Sequence, residues 1–310
     1  MINRRLILGS AACALLSLAC CRAFADSWKT TYPELVFGVV PIESASGTAE
    51  RFIPLTEYLT GQLGVPVRLK LTTDYASVIE GQRSGQIHIA YHDAGSYARA
   101  YMTGIKTEPF AVEVNADGSH SHHSVFYVKR ESPFEKIADL RGKTLALVDP
   151  DAMAGNVVPR FALHGMGIDA DTFFGKVIYT GNHENAILAL KDGSADVCAN
   201  WWSHEGDSIL RRMDDRGVPG IRYNDYRIIY VSGPIVNSPI AYLSNLPGDL
   251  KKAIREAFFN IEMNNKAAFD AFAGGKLLPW EPVSQKEYEP AIELINFVDG
   301  FRRGNRNHPG

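Results

Sequence analysis

Cysteine is scarce in this chain, and its placement makes it scarcer still. Of four cysteines in 310 residues, Cys13, Cys20 and Cys21 lie in the first 25, which leaves Cys198 alone in the remainder. With residues 1–25 removed, no intramolecular disulfide is possible, so a large hydrophobic core must hold the fold. A surplus of positive charge is also missing: 32 basic residues face 35 acidic ones. Without residues 1–25, which contain Arg4, Arg5 and Arg22 and no acid, the balance is 32 − 3 = 29 basic against 35 acidic, a net charge of −6. That excludes the basic face a nucleic-acid binder needs. Internal repeats and low-complexity segments are absent. The one long apolar run, Leu6 to Cys21, is too short for a membrane span and has no stop-transfer flank.

What that run resembles is an export leader. Arg4 and Arg5 precede it, and Ala23-Phe24-Ala25 follows, with small residues at the two positions a signal peptidase reads. Cleavage after Ala25 starts the mature chain at Asp26 and makes the protein periplasmic. Two alternatives stay open. Arg4-Arg5 before Leu6-Ile7-Leu8 is compatible with twin-arginine export, and Cys20 or Cys21 with lipidation, although Ser17-Leu18-Ala19 fits a lipobox poorly.

The mature chain, long enough for one large or two medium domains, alternates short apolar runs with amphipathic segments. The pattern predicts strands over 35–40, 67–71 and 87–91, with helices over 50–63, 75–84 and 96–102. After the polar turn Asn115–Ser119 the rhythm resumes. Strands are expected at 124–128, 144–148, 176–179 and 195–199, and helices at 155–164 and 184–191. Two further helical stretches, 247–272 and 285–301, close the chain, and the last nine residues are expected to fray. This is an α/β protein built from parallel sheets with covering helices. Within it, Thr144–Val148 runs into Asp149-Pro150-Asp151-Ala152-Met153-Ala154-Gly155-Asn156-Val157-Val158-Pro159, a strand-to-helix turn. Such a turn aims unpaired N–H groups and a helix dipole at one spot, which favours an anion.

The order and spacing of several further motifs carry a sharper resemblance. They are Phe37-Gly38-Val39-Val40-Pro41-Ile42-Glu43-Ser44, Asp74-Tyr75, Asp117-Gly118-Ser119, Asn182-His183-Glu184, Ala195-Asp196-Val197 and Ser232 to Pro239, together with the 149–159 turn. Over roughly 35–260 the chain is similar to the phosphonate-binding proteins of bacterial ABC importers. The resemblance implies a two-lobed periplasmic-binding-protein fold of type II, each lobe a mostly parallel sheet flanked by helices, with the ligand cleft between lobes. It divides the chain into a signal peptide, 1–25; lobe one, 26–119; lobe two, 120–234; and a lobe-one return with C-terminal helices, 235–310.

The same resemblance supplies candidate ligand contacts. Tyr75 and His183 match residues that bind the phosphonate oxygens. At the turn the family carries hydroxyl side chains where this chain has Ala152 and Met153, with Ala154 next, so only backbone donors are kept. A family tyrosine corresponds to His122, and carboxylates that hold an amine correspond to Trp201, Trp202, Ser203 and Ser238, with Glu205 nearby. Aminoalkyl phosphonates are therefore expected to bind weakly. His120-Ser121-His122-His123 reads equally as a solvated loop or as an extended segment with His120 and His122 on one face. The imidazole-rich set leaves a second reading open, in which His92, Asp93, His122 and His183 hold a transition metal or a metal chelate. No cofactor is expected.

The function implied is that of a monomeric periplasmic solute-binding component that captures a phosphonate-like oxyanion by hinge closure and delivers it to an ABC importer permease. A ligand-sensing subunit for a membrane kinase is an alternative. A pyrimidine-synthesis-type enzyme on the same fold is a third, and the sequence offers it no convincing nucleophile–base–orienter set.

Overall fold

The computed structural model describes residues 28–307, so the leader, its cleavage point and Cys20 and Cys21 lie outside the described residues. Among the described residues, twelve strands form two six-stranded sheets. In chain order they are β1 (Leu35–Val39), β2 (Val67–Leu71), β3 (Ile89–Tyr91), β4 (Thr107–Asn115), β5 (Ser121–Lys129) and β6 (Thr144–Leu147). The second six are β7 (Lys176–Tyr179), β8 (Val197–His204), β9 (Asp207–Ser208), β10 (Tyr226–Val236), β11 (Pro239–Leu243) and β12 (Leu277–Pro282). The first sheet has the order β12-β4-β11-β3-β1-β2, and the second β10-β5-β8-β6-β7 with β9 beside β8. The chain thus passes to the second sheet between Asn115 and Ser121 and returns between Val236 and Pro239.

Each sheet is mixed. β2, β1 and β3 pair in parallel, as do β7, β6 and β8. The strands nearest the two crossings, β4, β11, β5 and β10, pair antiparallel. The parallel portions are the apolar runs the sequence shows plainly. β1 is buried along its whole length because helices cover both faces, as a parallel sheet requires. Of the antiparallel strands, β5 was expected in part, over 124–128, whereas β4, β10, β11 and β12 were not expected. They contain Pro109, Pro234, Pro239 and Pro282, and proline at a strand edge or end reads as loop.

Three helices of the first lobe matter for the site. α1 (Ala45–Leu63) begins five residues before its expected start, because Ser44 Oγ accepts from the Gly47 N–H. α2 (Tyr75–Arg83) and α3 (Ala94–Met102) are capped by Asp74 and Asp93. In the second lobe a π-helical turn, Met153–Val157, opens α4 (Val158–Gly165). It is followed by α5 (His183–Lys191), capped by Asn182, and α6 (Ile209–Asp215), capped by Ser208. The C-terminal helix, α7 (Glu289–Asn307), continues through six of the nine residues expected to fray. No helix among the described residues is long and apolar enough to cross a membrane.

The lobes are closed on each other. Glu43, just after β1, accepts from Arg51 at 3.0 Å and from Arg216, past α6, at 2.7 Å. Arg216 also pairs with Glu184. Gly47 permits this cluster, since a Cβ there would lie 2.4 Å from Arg216 Nη1. The His183 N–H donates to the Ile42 carbonyl, and Arg99 pairs with Asp151 at 3.1 Å.

Candidate functional site

Between the lobes lies a cavity of about 50 Å3. At ~10–15 Å3 per water centre it has room for a few waters or one small tetrahedral ion. Strand ends and helix starts supply its walls: Tyr91 from β3, Asp93 capping α3, Glu113 from β4, His122 from β5 and His183 opening α5. Trp201 from β8, Asp207 from β9, Arg212 from α6, Arg51 from α1, and Asn237 and Ser238 between β10 and β11 complete it. His122, His183, Trp201 and Ser238 therefore line one cavity.

The turn is placed differently. Ala152, Met153 and Ala154 are buried and do not line this cavity; Met153 instead borders a separate apolar groove beside α7. The expected free N–H groups are partly consumed. Ala152 N–H bonds to the Asp149 carbonyl, and Met153 N–H donates at 2.8 Å to Asp93 Oδ2. The anion at this helix start is thus a carboxylate of the protein itself. Burial pushes the Asp93 carboxyl up to about 6, against the lowering effect of the Ser96 and Met153 N–H groups. α3 presses directly on the turn because residue 95 is glycine: a Cβ there would sit 2.3 Å from the Asp151 carbonyl oxygen. Tyr75 is also off the cavity. Its ring is fully buried and its hydroxyl, beside Asp93 and Asp149, has no partner.

The histidines divide. His92 is turned into the first lobe, with Nδ1 3.0 Å from Ser96 Oγ and Nε2 3.0 Å from Gln82 Oε1, so neither nitrogen is available to a ligand. His120, outside β5, pairs with Glu281 at 3.1 Å, and His123 Nδ1 bonds to the Ser232 carbonyl. Only His122 of the triplet enters the cavity, because alternation begins at Ser121, where β5 starts. Burial holds His183 at about 3 and His122 at about 4, so both imidazoles are neutral. Among the described residues, no group of three or more His, Cys, Asp and Glu side chains is arranged to hold a metal ion. The set His92, Asp93, His122 and His183 does not converge.

Sequence reasoning missed the charged half of the site. Arg212 forms a two-pronged pair with Asp207 at 2.7 and 3.0 Å, and its guanidinium lies 4.9 Å from the Trp201 ring centre. Arg51 bridges Glu43 and, at 3.6 Å, Glu113. Burial raises the Glu113 carboxyl despite Arg51 and Arg212. Trp201 Nε1 is buried with no hydrogen-bond partner among the described residues, and Arg51 Nη2 has none beyond its 3.6 Å ion pair with Glu113. Buried donors are almost always paired, so the Trp201 N–H is left free for an acceptor brought by a ligand.

The family profile described as "ABC transporter, phosphonate, periplasmic substrate-binding protein" matches residues 37–288. The phosphonates-binding periplasmic protein of Escherichia coli (strain K12) is 27% identical over 230 residues, 73% of this chain and 65% of its own length. The phosphate-import protein PhnD of Mycolicibacterium smegmatis is 27% identical over 200 residues, 61% of this chain and 62% of its own length. The chain therefore spans a little under two thirds of the curated relatives it matches. The crystal structure of a binding protein component of an ABC phosphonate transporter from Pseudomonas aeruginosa superposes with a TM-score of 0.78 at 21% identity, over 90% of both chains. With a two-lobed fold and a profile match that runs from β1 to the start of the last helix, the chain belongs to the periplasmic substrate-binding proteins of phosphonate ABC transporters.

Proposed function

We propose that this protein is the periplasmic binding component of an ABC importer and captures a small tetrahedral oxyanion of the phosphonate and phosphate class. The observation that carries the reading is Trp201 Nε1, a buried donor with no hydrogen bond among the described residues, on a side chain that lines a cavity of about 50 Å3 together with Arg51 and Arg212. The names of the relatives, phosphonate-binding and phosphate-importing, support the ligand class. The cavity draws on both lobes, so a ligand bridging them stabilises the closed form that a permease distinguishes from the open one. The protein works as a monomer released by cleavage after Ala25, and returns its ligand chemically unchanged. His122, His183, Trp201 and Ser238 are the contacts shared with the resemblance, while Ala152, Met153 and Ala154 lie off the cavity, with the Met153 N–H donating to Asp93.

A thermal-shift and small-angle scattering panel of methylphosphonate, phosphate, phosphite, sulfate and aminoalkyl phosphonates tests this. At a hundredfold excess over Kd the true ligand stabilises the native state by about 2.7 kcal/mol. Trp201→Phe should remove most of that shift while leaving the unliganded melt intact, and His183→Ala should remove it while also lowering the unliganded melt. If no oxyanion shifts the melt, or both variants respond as the parent does, the reading fails.

A further inference from the structure

The two cavity histidines offer a bound oxyanion lone pairs, not protons. Asn200 Nδ2 donates to the His183 carbonyl at 2.9 Å, while its Oδ1 accepts from the Trp201 N–H at 2.9 Å. That network fixes the amide's orientation. Asn200 Oδ1 therefore also accepts from His183 Nδ1, 2.7 Å away, and the proton of this neutral ring sits on Nδ1. His122 is held the same way. Asn237 Nδ2 donates to the Glu113 carbonyl and to Asn115 Oδ1, so its Oδ1 accepts from His122 Nδ1 at 2.9 Å. In both rings Nε2 is the unprotonated nitrogen and makes no hydrogen bond within the described residues, while both residues line the cavity. His183 is 3% exposed, so little of its ring is open to bulk solvent.

The charges around these rings point the same way. The lining carries three carboxyl groups, Asp93, Glu113 and Asp207, against two guanidiniums, Arg51 and Arg212. His122 faces His123, Asn237 and Asp207, and His183 faces Asn200 and His122; no arginine or lysine is among the groups that act on either ring. A fully deprotonated oxyanion presents acceptors only, and here would meet two lone pairs and a wall without net positive charge.

Resting on the oxyanion reading above, we infer that the site selects ligands by a proton they carry: it takes the monoprotonated oxyanion, whose O–H donates to Nε2 of His183 or His122, while the remaining oxygens accept from Arg51 and Trp201. No proton is transferred; the ligand keeps it. Fully ionised oxyanions of the same shape are rejected, because an acceptor against an acceptor in a dry site leaves both unpaired.

Calorimetric titration with two probes decides the matter. At pH 6 hydrogen methylphosphonate and methanesulfonate share shape and charge, and differ by one O–H. We expect methylphosphonate to bind at least ~100-fold more tightly. Its affinity should then fall about tenfold per pH unit above its second ionisation, as the protonated form is depleted. Asn200→Asp gives His183 Nδ1–H a charged partner, favours the doubly protonated ring, and should narrow the gap by admitting methanesulfonate. Asn237→Asp serves the same purpose at His122 should the first variant fail to fold. Methanesulfonate binding within threefold of methylphosphonate, or an affinity flat or rising with pH, overturns the inference and leaves the oxyanion reading standing. Silence from both probes and from phosphate at every pH overturns both.

Discussion

Acid should destabilise this protein steeply between pH 7 and 5, and His92 should account for much of the effect. The ring is fully buried and both its nitrogens are hydrogen-bonded, and burial lowers it to about 3. Gln82 Nε2 donates to the Ala241 carbonyl, so Gln82 Oε1 accepts from His92 Nε2 and Nδ1 accepts from Ser96. A second proton on Nδ1 would bury a charge and displace the serine donor. A group whose folded pKa lies below its unfolded value of ~6.5 contributes stability above 6.5 that is lost as pH falls towards the folded value. Each such histidine therefore forfeits about 2 kcal/mol between pH 7 and 5, and His92, His122 and His183 together about 6. Asp93 and Asp149 act oppositely. Burial raises both to about 6, so the stability their protonated forms contribute is missing at pH 7 and regained on acidification, about 1.3 kcal/mol each by pH 5. The net loss is about 3 kcal/mol, a fall in Tm of roughly 6–12 °C. Melts at pH 7 and 5 read it directly, and His92→Gln should cut the fall to roughly a third. An unchanged or higher Tm at pH 5 refutes the reasoning. So does an imidazole of His92 that titrates near 6.5 by NMR.

Gly95→Val places a side chain where a Cβ alone would meet the Asp151 carbonyl oxygen at 2.3 Å. It should wedge the lobes apart, seen in scattering as a larger radius of gyration and in calorimetry as lost ligand response. Arg212→Met leaves Asp207, only 1% exposed, without its two-pronged partner, at a cost of roughly 3–5 kcal/mol. Adding Asp207→Asn should restore most of that in a denaturant melt, and equal destabilisation of the single and double variants would show that the pair is not the cause. Burial drives the fully buried Cys198 thiol far above its ordinary range, so it should resist a thiol reagent in the native protein and react at once in denaturant. Rapid native labelling would contradict that burial.

Where the sequence was legible, one physical rule sufficed. β2 and β7 fall on their expected residues because an apolar run between polar turns, feeding a capped helix, has few other solutions in a parallel sheet. β4, β10 and β11 were hidden because they pair within each sheet with strands distant in sequence, and their prolines oppose the local pattern. The site divides similarly. His183 and Trp201 lie on elements whose ends the fold aims at the cleft, so a motif match could place them. Arg51, Glu113, Asp207 and Arg212 gave no such signal. Arg51 sits on a helix 62 residues before Glu113, and a lone charge on a helix ordinarily means solvent. Only the closure of two separately folded sheets turns those charges inward. The 149–159 turn shows the converse limit. Its residues form the strand-to-helix turn its letters announce, yet Asp93, 60 residues away, takes up the Met153 N–H. A motif can specify donors; whether they still face a ligand depends on what the rest of the chain packs against them.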